Sequence, residues 1–127
     1  MGLGNCILKE HIPTEDQEQM YFIQWFRRTY PDVLIHSIPN GGHRHIAVAT
    51  KMKATGQVKG IPDLFIPAWR LWVEMKRTKG GVVSADQKIV IAYLKSVGYD
   101  VIVCKGALEA QHKIIEGKYE TSNPKPV

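Results

Sequence analysis

The sequence has few cysteines and no long apolar run. Two of its 127 residues are cysteine, Cys6 and Cys104, and their separation matches neither a zinc motif nor a disulfide framework. No apolar run approaches the roughly 20 residues that span a bilayer, and the first residues lack the basic start and apolar stretch of a signal peptide. Internal repeats and low-complexity segments are also missing. We therefore expect an intracellular, cytoplasmic protein with no membrane partner.

A single domain fits the length and the hydrophobic content. The chain is 44% hydrophobic, long enough to bury a core and too short for two ordinary domains. We predict one domain over residues 1–127, with its core at about 14–115 and a flexible C-terminal tail at about 118–127. Its 17 Lys and Arg outnumber its 12 Asp and Glu, which favours an anionic partner without being specific to nucleic acid.

Capping and turn signals divide the chain into alternating helices and strands. Thr14 and Gln17 fit a capping box before a helix predicted from about Glu15 to Arg28. Apart from residues 60–76, the other predicted elements are two strands and three helices. They are a strand within 33–38, a helix at 46–54, a helix capped by Ser84 that ends near 97, a strand at 99–104 and a helix at about 107–115. A right-handed crossover should pair the last two strands in parallel, which predicts an α/β fold with a mixed sheet flanked by helices.

Residues 60–76 are expected to hold the chemistry, and they have the pattern of a β-hairpin. Two apolar runs, Leu64–Ile66 and Leu71–Val73, flank a break at residues 67–70. An even-numbered loop pairs the last residue of the first run with the first residue of the second. In that register Asp63 lies opposite Glu74.

Asp63, Glu74 and Lys76 would then share one small surface. Opposed residues have Cβ atoms roughly 5 Å apart, and alternation places Glu74 and Lys76 on one side and Met75 on the other. Two carboxylates this close raise one another's pKa unless a cation lies between them, and such oxygen ligands suit Mg²⁺ or Mn²⁺. Lys76 would orient water or neutralise phosphate charge. The alternative is that Asp63 is a turn residue after Pro62 and that Glu74 and Lys76 form a surface ion pair.

Basic residues surround this hairpin in the sequence. A Pro-Asn-Gly-Gly turn at 39–42 precedes a basic cluster at 43–45, and its glycines would allow close backbone approach to a phosphate. His43 and His45 have no third ligand nearby in sequence, so zinc is not expected. The residues predicted to contact a phosphodiester backbone are Asn40, Arg44, Lys51, Lys53, Lys59, Arg77 and Lys79. Solvated charges that keep the surface soluble are the alternative interpretation.

Two further polar features have complete structural explanations of their own. Glu15, Asp16 and Glu18 occupy the first turn of the first predicted helix, where the helix dipole favours negative charge. Gln87 stands three residues after Ser84 and completes a second capping box.

The order of elements resembles the PD-(D/E)XK nuclease core, also called restriction-endonuclease-like, and within it the virus-type replication-repair nuclease (VRR-NUC) family. The chain is most similar to the small stand-alone members that phages encode, which would place it in the cytoplasm of a host cell. The resemblance covers about residues 14–104. It rests on the residues 39–42 with Arg44, Lys59–Phe65, Val73–Lys76, Ser84 with Gln87, and Gly98–Tyr99.

The resemblance implies a metal-dependent phosphodiesterase that acts on DNA. Asp63 and Glu74 would be Mg²⁺ or Mn²⁺ ligands together with the backbone carbonyl of Met75, Lys76 would position or activate water, and Gln87 would support the site. An acid on the first helix is also implied, with Glu15 preferred and Glu18 as the alternative. Stand-alone members look like homodimeric resolvases of branched DNA, so a homodimer is expected.

Three hypotheses follow for function. The first is a structure-specific endonuclease, resembling a Holliday-junction resolvase, with a nuclease for flap or duplex DNA as its variant. The second is a DNA-binding module without chemistry, whose affinity would fall steeply with salt. The third is an intracellular domain that binds protein and whose acid pair is structural. The intact set of Asp63, Glu74 and Lys76 favours the first.

Overall fold

Among the described residues, four helices and four strands form in the order that the sequence predicts. The computed structural model describes residues 11–39 and 46–121. In chain order its elements are helix α1 (Glu15–Thr29), strand β1 (His36–Ser37), helix α2 (Ile46–Ala54), strands β2 (Leu64–Ile66) and β3 (Leu71–Lys76), helix α3 (Ala85–Ser96), strand β4 (Asp100–Lys105) and helix α4 (Ala107–Gly117). Short 3-10 helices lie at Pro67–Trp69 and Tyr119–Thr121.

Both predicted capping boxes are present. At the start of α1 the Thr14 hydroxyl accepts from the Gln17 backbone N–H at 3.1 Å, and the Gln17 side chain accepts from the Thr14 N–H at 2.9 Å. Ser84 and Gln87 form the same reciprocal pair before α3. Each box satisfies two backbone donors that have no partner within the helix, which fixes where the helix begins. The bounds of α2 are those predicted, and the other helices differ by one or two residues.

The strands form one mixed sheet in the order β1-β2-β3-β4. The first three are antiparallel, and β2 pairs with β3 in the predicted register, with Ile66 opposite Leu71. The β3 and β4 strands are parallel, as a crossover through α3 requires. The predicted mixed α/β fold is confirmed.

The two faces of the sheet have different roles. One face carries Val73 and Met75, which are fully buried against the aromatic residues Phe22 and Phe26 of α1 and against α4. Side chains alternate along β3, so Glu74 and Lys76 project from the other face, where the first turn of α3 reaches them. The core therefore anchors one side of β3 while the charged residues line the other.

The first strand is shorter than the sequence predicts. The strand predicted within residues 33–38 is reduced to His36–Ser37, and Leu34 is 63% exposed. This strand is at the edge of the sheet and pairs only with β2, which has three residues, so few backbone partners are available to it. The β3 strand runs from Leu71 through Lys76, so Glu74, Met75 and Lys76 lie in it, as the predicted alternation of their side chains requires.

The tail was predicted to begin at about residue 118, but ordered structure continues beyond that point. The ring of Tyr119 stacks on Trp69, with 5.5 Å between ring centroids. Trp69 belongs to the core, so the start of the expected tail is packed against it. Residues 122–127 lie outside the described residues.

Cys104 does not belong to the charged surface of β3. Cys104 is a fully buried free thiol whose pKa is raised by burial to about 12, so it stays protonated and unreactive. Cys6 lies outside the described residues. Within residues 11–39 and 46–121, none of the helices is both long and apolar enough to cross a bilayer.

Candidate active site

The Asp63 side chain is held against β3 by a hydrogen bond from the backbone of that strand. Asp63 lies one residue before β2, and its Oδ2 accepts from the Met75 N–H at 2.8 Å. The N–H and C=O of one residue in a strand point to the same side, so the Met75 carbonyl also points toward Asp63. Asp63 thus follows the predicted register beyond the last paired residues, Leu64 and Val73.

Three carboxylates converge at this end of the hairpin. One oxygen from each of Glu15, Asp63 and Glu74 lies within 4.8 Å of the other two. Glu15 is the first residue of α1, and Glu74 is in β3 and only 1% exposed. Of the two first-helix acids that the sequence left open, the structure brings Glu15 and not Glu18 to the other carboxylates.

Lys76 and Gln87 complete the polar surface around Glu74. The Lys76 ammonium donates to Gln87 Oε1 at 2.8 Å and lies 3.6 Å from Glu74 Oε1. The Gln87 amide nitrogen donates to the same Glu74 oxygen at 3.0 Å. Gln87 Oε1 also accepts from the Ser84 backbone, so this one side chain caps α3 and bridges Glu74 and Lys76. These contacts fix the side chains of both charged residues.

The environment of Glu74 opposes its ionisation. Burial is the main reason that its pKa is raised, to about 8, and the charge of Asp63 raises it further, while Lys76 acts in the opposite direction. The pKa of Glu15 is raised for the same two reasons. Glu74 Oε2 is one of two buried side-chain polar atoms without a hydrogen-bond partner in the described part of the chain. Such an atom is costly unless something positive reaches it.

A cleft of about 650 Å³ opens onto the carboxylates. The first turn of α1 and the hairpin supply its acidic wall, and α2 with the following loop supplies a wall that holds basic and apolar residues. The cleft is lined by Glu15, Asp16, Ala49, Lys53, Gln57, Val58, Lys59, Gly60, Ile61, Asp63 and Gln87. None of the residues of α2 is buried, so this helix is exposed to the cleft and to solvent.

Gly60 is needed where the cleft meets α3. It has a φ of +95°, and a Cβ atom there would lie 2.7 Å from the backbone of Asp86. Only glycine permits both this conformation and this close approach. The loop before Asp63 can therefore lie directly against the first turn of α3, which carries Gln87.

The predicted DNA-contacting residues divide into three groups. Lys53 and Lys59 line the cleft, and the Lys59 ammonium lies 3.5 Å from Asp86 at an exposed position. Lys51 is exposed on α2 but does not line the cleft, and Arg77 and Lys79 are exposed in the loop after β3. Asn40 and Arg44 lie outside the described residues, as does the rest of the basic cluster at 43–45.

Sequence reasoning missed the contacts that Glu18 of α1 makes with the loop after β3 and with the start of α4. Glu18 was explained by the helix dipole, yet its carboxylate is buried and bonded to Thr78 and to the start of α4. The sequence holds no local signal for these contacts, because they join residues 60 and 89 positions apart.

Comparison with known proteins assigns this α/β chain to a nuclease family. A family model for the VRR-NUC domain matches residues 7–108. A solved structure named "VRR_NUC domain protein" is similar in fold, with a TM-score of 0.71 and 26% identity, over 90% of this chain and 94% of that one. No protein with curated annotation matches significantly. The chain belongs to the VRR-NUC family and is a nuclease domain.

Proposed function

We propose that the protein is a Mg²⁺- or Mn²⁺-dependent endonuclease that hydrolyses phosphodiester bonds in branched DNA, in the manner of a Holliday-junction resolvase, and that it acts as a homodimer. The observation that carries the proposal is the convergence of Glu15, Asp63 and Glu74 within 4.8 Å beside Lys76. Branched DNA and the dimer are supported by the resemblance to stand-alone members. A dimer would present two sites to the two strands of a junction.

The acid cluster fits a divalent cation. Three carboxylates lie within 4.8 Å of one another, and the Lys76 ammonium lies 3.6 Å from Glu74. Glu74 Oε2 is buried without a hydrogen-bond partner among the described residues. Oxygen-only ligands suit Mg²⁺ and Mn²⁺, and the proposed ligands are Asp63, Glu74, Glu15 and the Met75 carbonyl. A bound ion would polarise the scissile phosphate and lower the pKa of a coordinated water.

Lys76 would supply a positively charged hydrogen-bond donor beside the carboxylates, and Gln87 would hold it in place. The Lys76 side chain is 9% exposed and its ammonium donates to Gln87, so it has a fixed position beside the cluster. There it would donate to the attacking water or to a phosphate oxygen that becomes more negative in the transition state. Gln87 would keep both Lys76 and Glu74 in place through its two polar atoms.

Basic residues around the cleft would hold the DNA backbone. Lys53 and Lys59 line the cleft, and Arg77 and Lys79 lie in the loop after β3. Asn40, Arg44 and Lys51 stay predicted contacts of the same kind. Phosphate contacts position the strand and carry no sequence information, which suits an enzyme that recognises structure and not sequence.

A gel cleavage assay tests the proposal on labelled four-way junction, flap, single-stranded and linear duplex DNA, with Mg²⁺, Mn²⁺ or EDTA. We expect symmetric cuts on the junction that disappear with EDTA. In Lys76→Ala the rate should fall by about 10²–10³, because a fixed donor to the transition state is removed. Lys88→Ala, at an exposed position of α3 outside the cleft, is the matched control and should cut normally.

Each other outcome has a definite meaning. Cleavage of flap or duplex DNA without junction preference would keep the nuclease and reject the resolvase. Salt-sensitive binding to DNA without cleavage in any metal would establish a binding module. Unchanged cleavage by Lys76→Ala would remove Lys76 from the reaction.

A further inference from the structure

Glu18 is a buried acid that the cluster does not use. It lies one turn after Glu15 on α1 and is 6% exposed, yet its carboxylate is not among the three that converge. Charged carboxylates are almost never this buried unless they are paired or hydrogen-bonded. The partners of Glu18 therefore explain why it is there.

Those partners come from two other parts of the fold. Glu18 Oε2 accepts from the Thr78 hydroxyl at 2.5 Å, and Glu18 Oε1 accepts from the Ala107 backbone N–H at 3.2 Å. Thr78 belongs to the loop after β3, and Ala107 is the first residue of α4. The residue before α4 is Gly106, which offers no side-chain cap of its own. Glu18 caps α4 from a different helix, where the dipole also favours its charge.

Gly106 makes this approach sterically possible. A Cβ atom at this position would lie 2.6 Å from Thr78 Oγ1 and 2.9 Å from Glu18 Oε2, and its φ is +93°. The Gly106 N–H also donates to the Lys76 carbonyl at 3.0 Å. The contacts of Glu18 with Thr78, Gly106 and Ala107, called here the α1 clamp, thus begin two residues from Lys76 and one helical turn from Glu15.

We propose that Glu18 is a positioning residue: the α1 clamp fixes α1 against the ends of β3 and β4, so that Glu15 meets Asp63 and Glu74. Through Thr78 the same clamp holds the loop that carries Arg77 and Lys79. The inference rests on the proposed function, because it takes the acid cluster to be the metal site. It assigns Glu15 and Glu18 different roles although both acids are in the first turn of one helix.

The amide variant distinguishes a positioning residue from a metal ligand. In Glu18→Gln the carbonyl oxygen still accepts from Ala107 and the amide nitrogen donates to the Thr78 hydroxyl, so the contacts of the clamp are kept. In Glu15→Gln the amide is a poorer ligand than the carboxylate it replaces. The two substitutions are chemically the same and three residues apart, so each is the control for the other.

The experiment measures Mn²⁺ affinity of the full chain without DNA, by the EPR signal of free Mn²⁺, after thermal melts have shown each variant folded. We expect Glu15→Gln to lose at least about tenfold in affinity, Glu18→Ala to lose about tenfold and Glu18→Gln to stay within about twofold of wild type. Thr78→Val should lose less Mn²⁺ affinity than Glu18→Ala, because the Ala107 contact remains, and should bind duplex DNA several-fold more weakly, because the loop is released. If Glu18→Gln lost as much affinity as Glu18→Ala, Glu18 would be a ligand and the inference would be overturned.

Two other outcomes also decide the inference. Wild-type Mn²⁺ affinity in Glu18→Ala would overturn the positioning role and leave a purely structural residue. If the wild-type protein bound no Mn²⁺, the proposed function would fail, and the clamp would be judged in metal-free protein by hydrogen exchange. Unchanged exchange of the Ala107 amide in Glu18→Ala would then overturn the clamp itself.

Discussion

Glu74 is the residue at which folding and the proposed chemistry conflict. It is 1% exposed, it lies beside Asp63 and Glu15, and one of its oxygens has no hydrogen-bond partner in the described part of the chain. Such an arrangement opposes ionisation and raises the pKa of Glu74 to about 8. A site that concentrates negative charge in this way is less stable alone than with a cation, so metal binding and stability should be linked.

Glu74→Gln should remove a pH-dependent loss of stability. The folded-state pKa of about 8 exceeds the ordinary value of 4.5, so the folded protein binds more protons between these pH values. The stabilisation from the neutral form is complete below about pH 4.5 and is lost as the pH rises through 8. Relative to Glu74→Gln, wild-type protein in EDTA should lose about 2 kcal/mol between roughly pH 6 and pH 9. Thermal or urea melts at both pH values measure this difference.

The same pH dependence of stability in wild type and in Glu74→Gln would contradict this prediction. If wild type and Glu74→Gln lost stability in parallel, the proton would not reside on Glu74 in the folded state. The same variant should cut no DNA at either pH, because an amide replaces the proposed ligand.

Helix α3 combines a capping box with the support of the site, and the two functions can be separated. Ser84→Ala removes the cap hydroxyl and should cost about 1 kcal/mol of stability, while the contacts of Gln87 to Glu74 and Lys76 remain. Gln87→Ala removes its side-chain half of the capping box together with the contacts to Glu74 and Lys76. Cleavage should fall about tenfold or more, because neighbours that orient a metal ligand typically contribute that much. Melting temperatures and cleavage rates of the two variants measure the separation. Equal activity in both would show that Gln87 serves only the helix.

Helix α2 offers a comparison between two lysines that the sequence treats alike. Lys53 lines the cleft and Lys51 does not, although both are exposed on the same helix. Lys53→Gln should lower the slope of log affinity against log salt for duplex DNA by about one, as the loss of one phosphate contact does. Lys51→Gln should leave the slope nearly unchanged. Fluorescence anisotropy in EDTA at several salt concentrations measures the slopes of both variants. Equal slopes would mean that the DNA backbone does not follow this cleft.

These elements also show what the sequence could and could not predict. Helix bounds followed from Thr14, Ser84 and Gly98, because capping is a local interaction. The register of the hairpin followed from the even spacing of its apolar runs, and with it the proximity of Asp63 and Glu74. The sequence did not show whether Glu15 or Glu18 joins Asp63 and Glu74, because that depends on how α1 packs against α4 and β3. The length of β1 depends likewise on its partner strand.

At the scale of the whole molecule, the family and the mixed α/β fold were predictable because several motifs occur together in one order. No single one of Asp63, Glu74-x-Lys76 or Gln87 would have been sufficient, since each has an ordinary structural explanation. The net charge of +5 fits a polyanionic substrate but did not contribute to the fold prediction. Interactions between copies of the chain depend on shape complementarity, which the sequence pattern does not contain.

The proposed homodimer makes a prediction about the number of cuts for each binding event. A heterodimer of wild type and Lys76→Ala, purified through two different tags, has one competent site, because Lys76 and its partners Glu74 and Gln87 all lie within one chain. It should convert a four-way junction to a nicked junction and not to paired linear duplexes. The doubly tagged wild-type dimer is the control and should give paired cuts. Paired cuts from the heterodimer would mean that one site cuts both strands in turn, so that two sites are not needed for resolution.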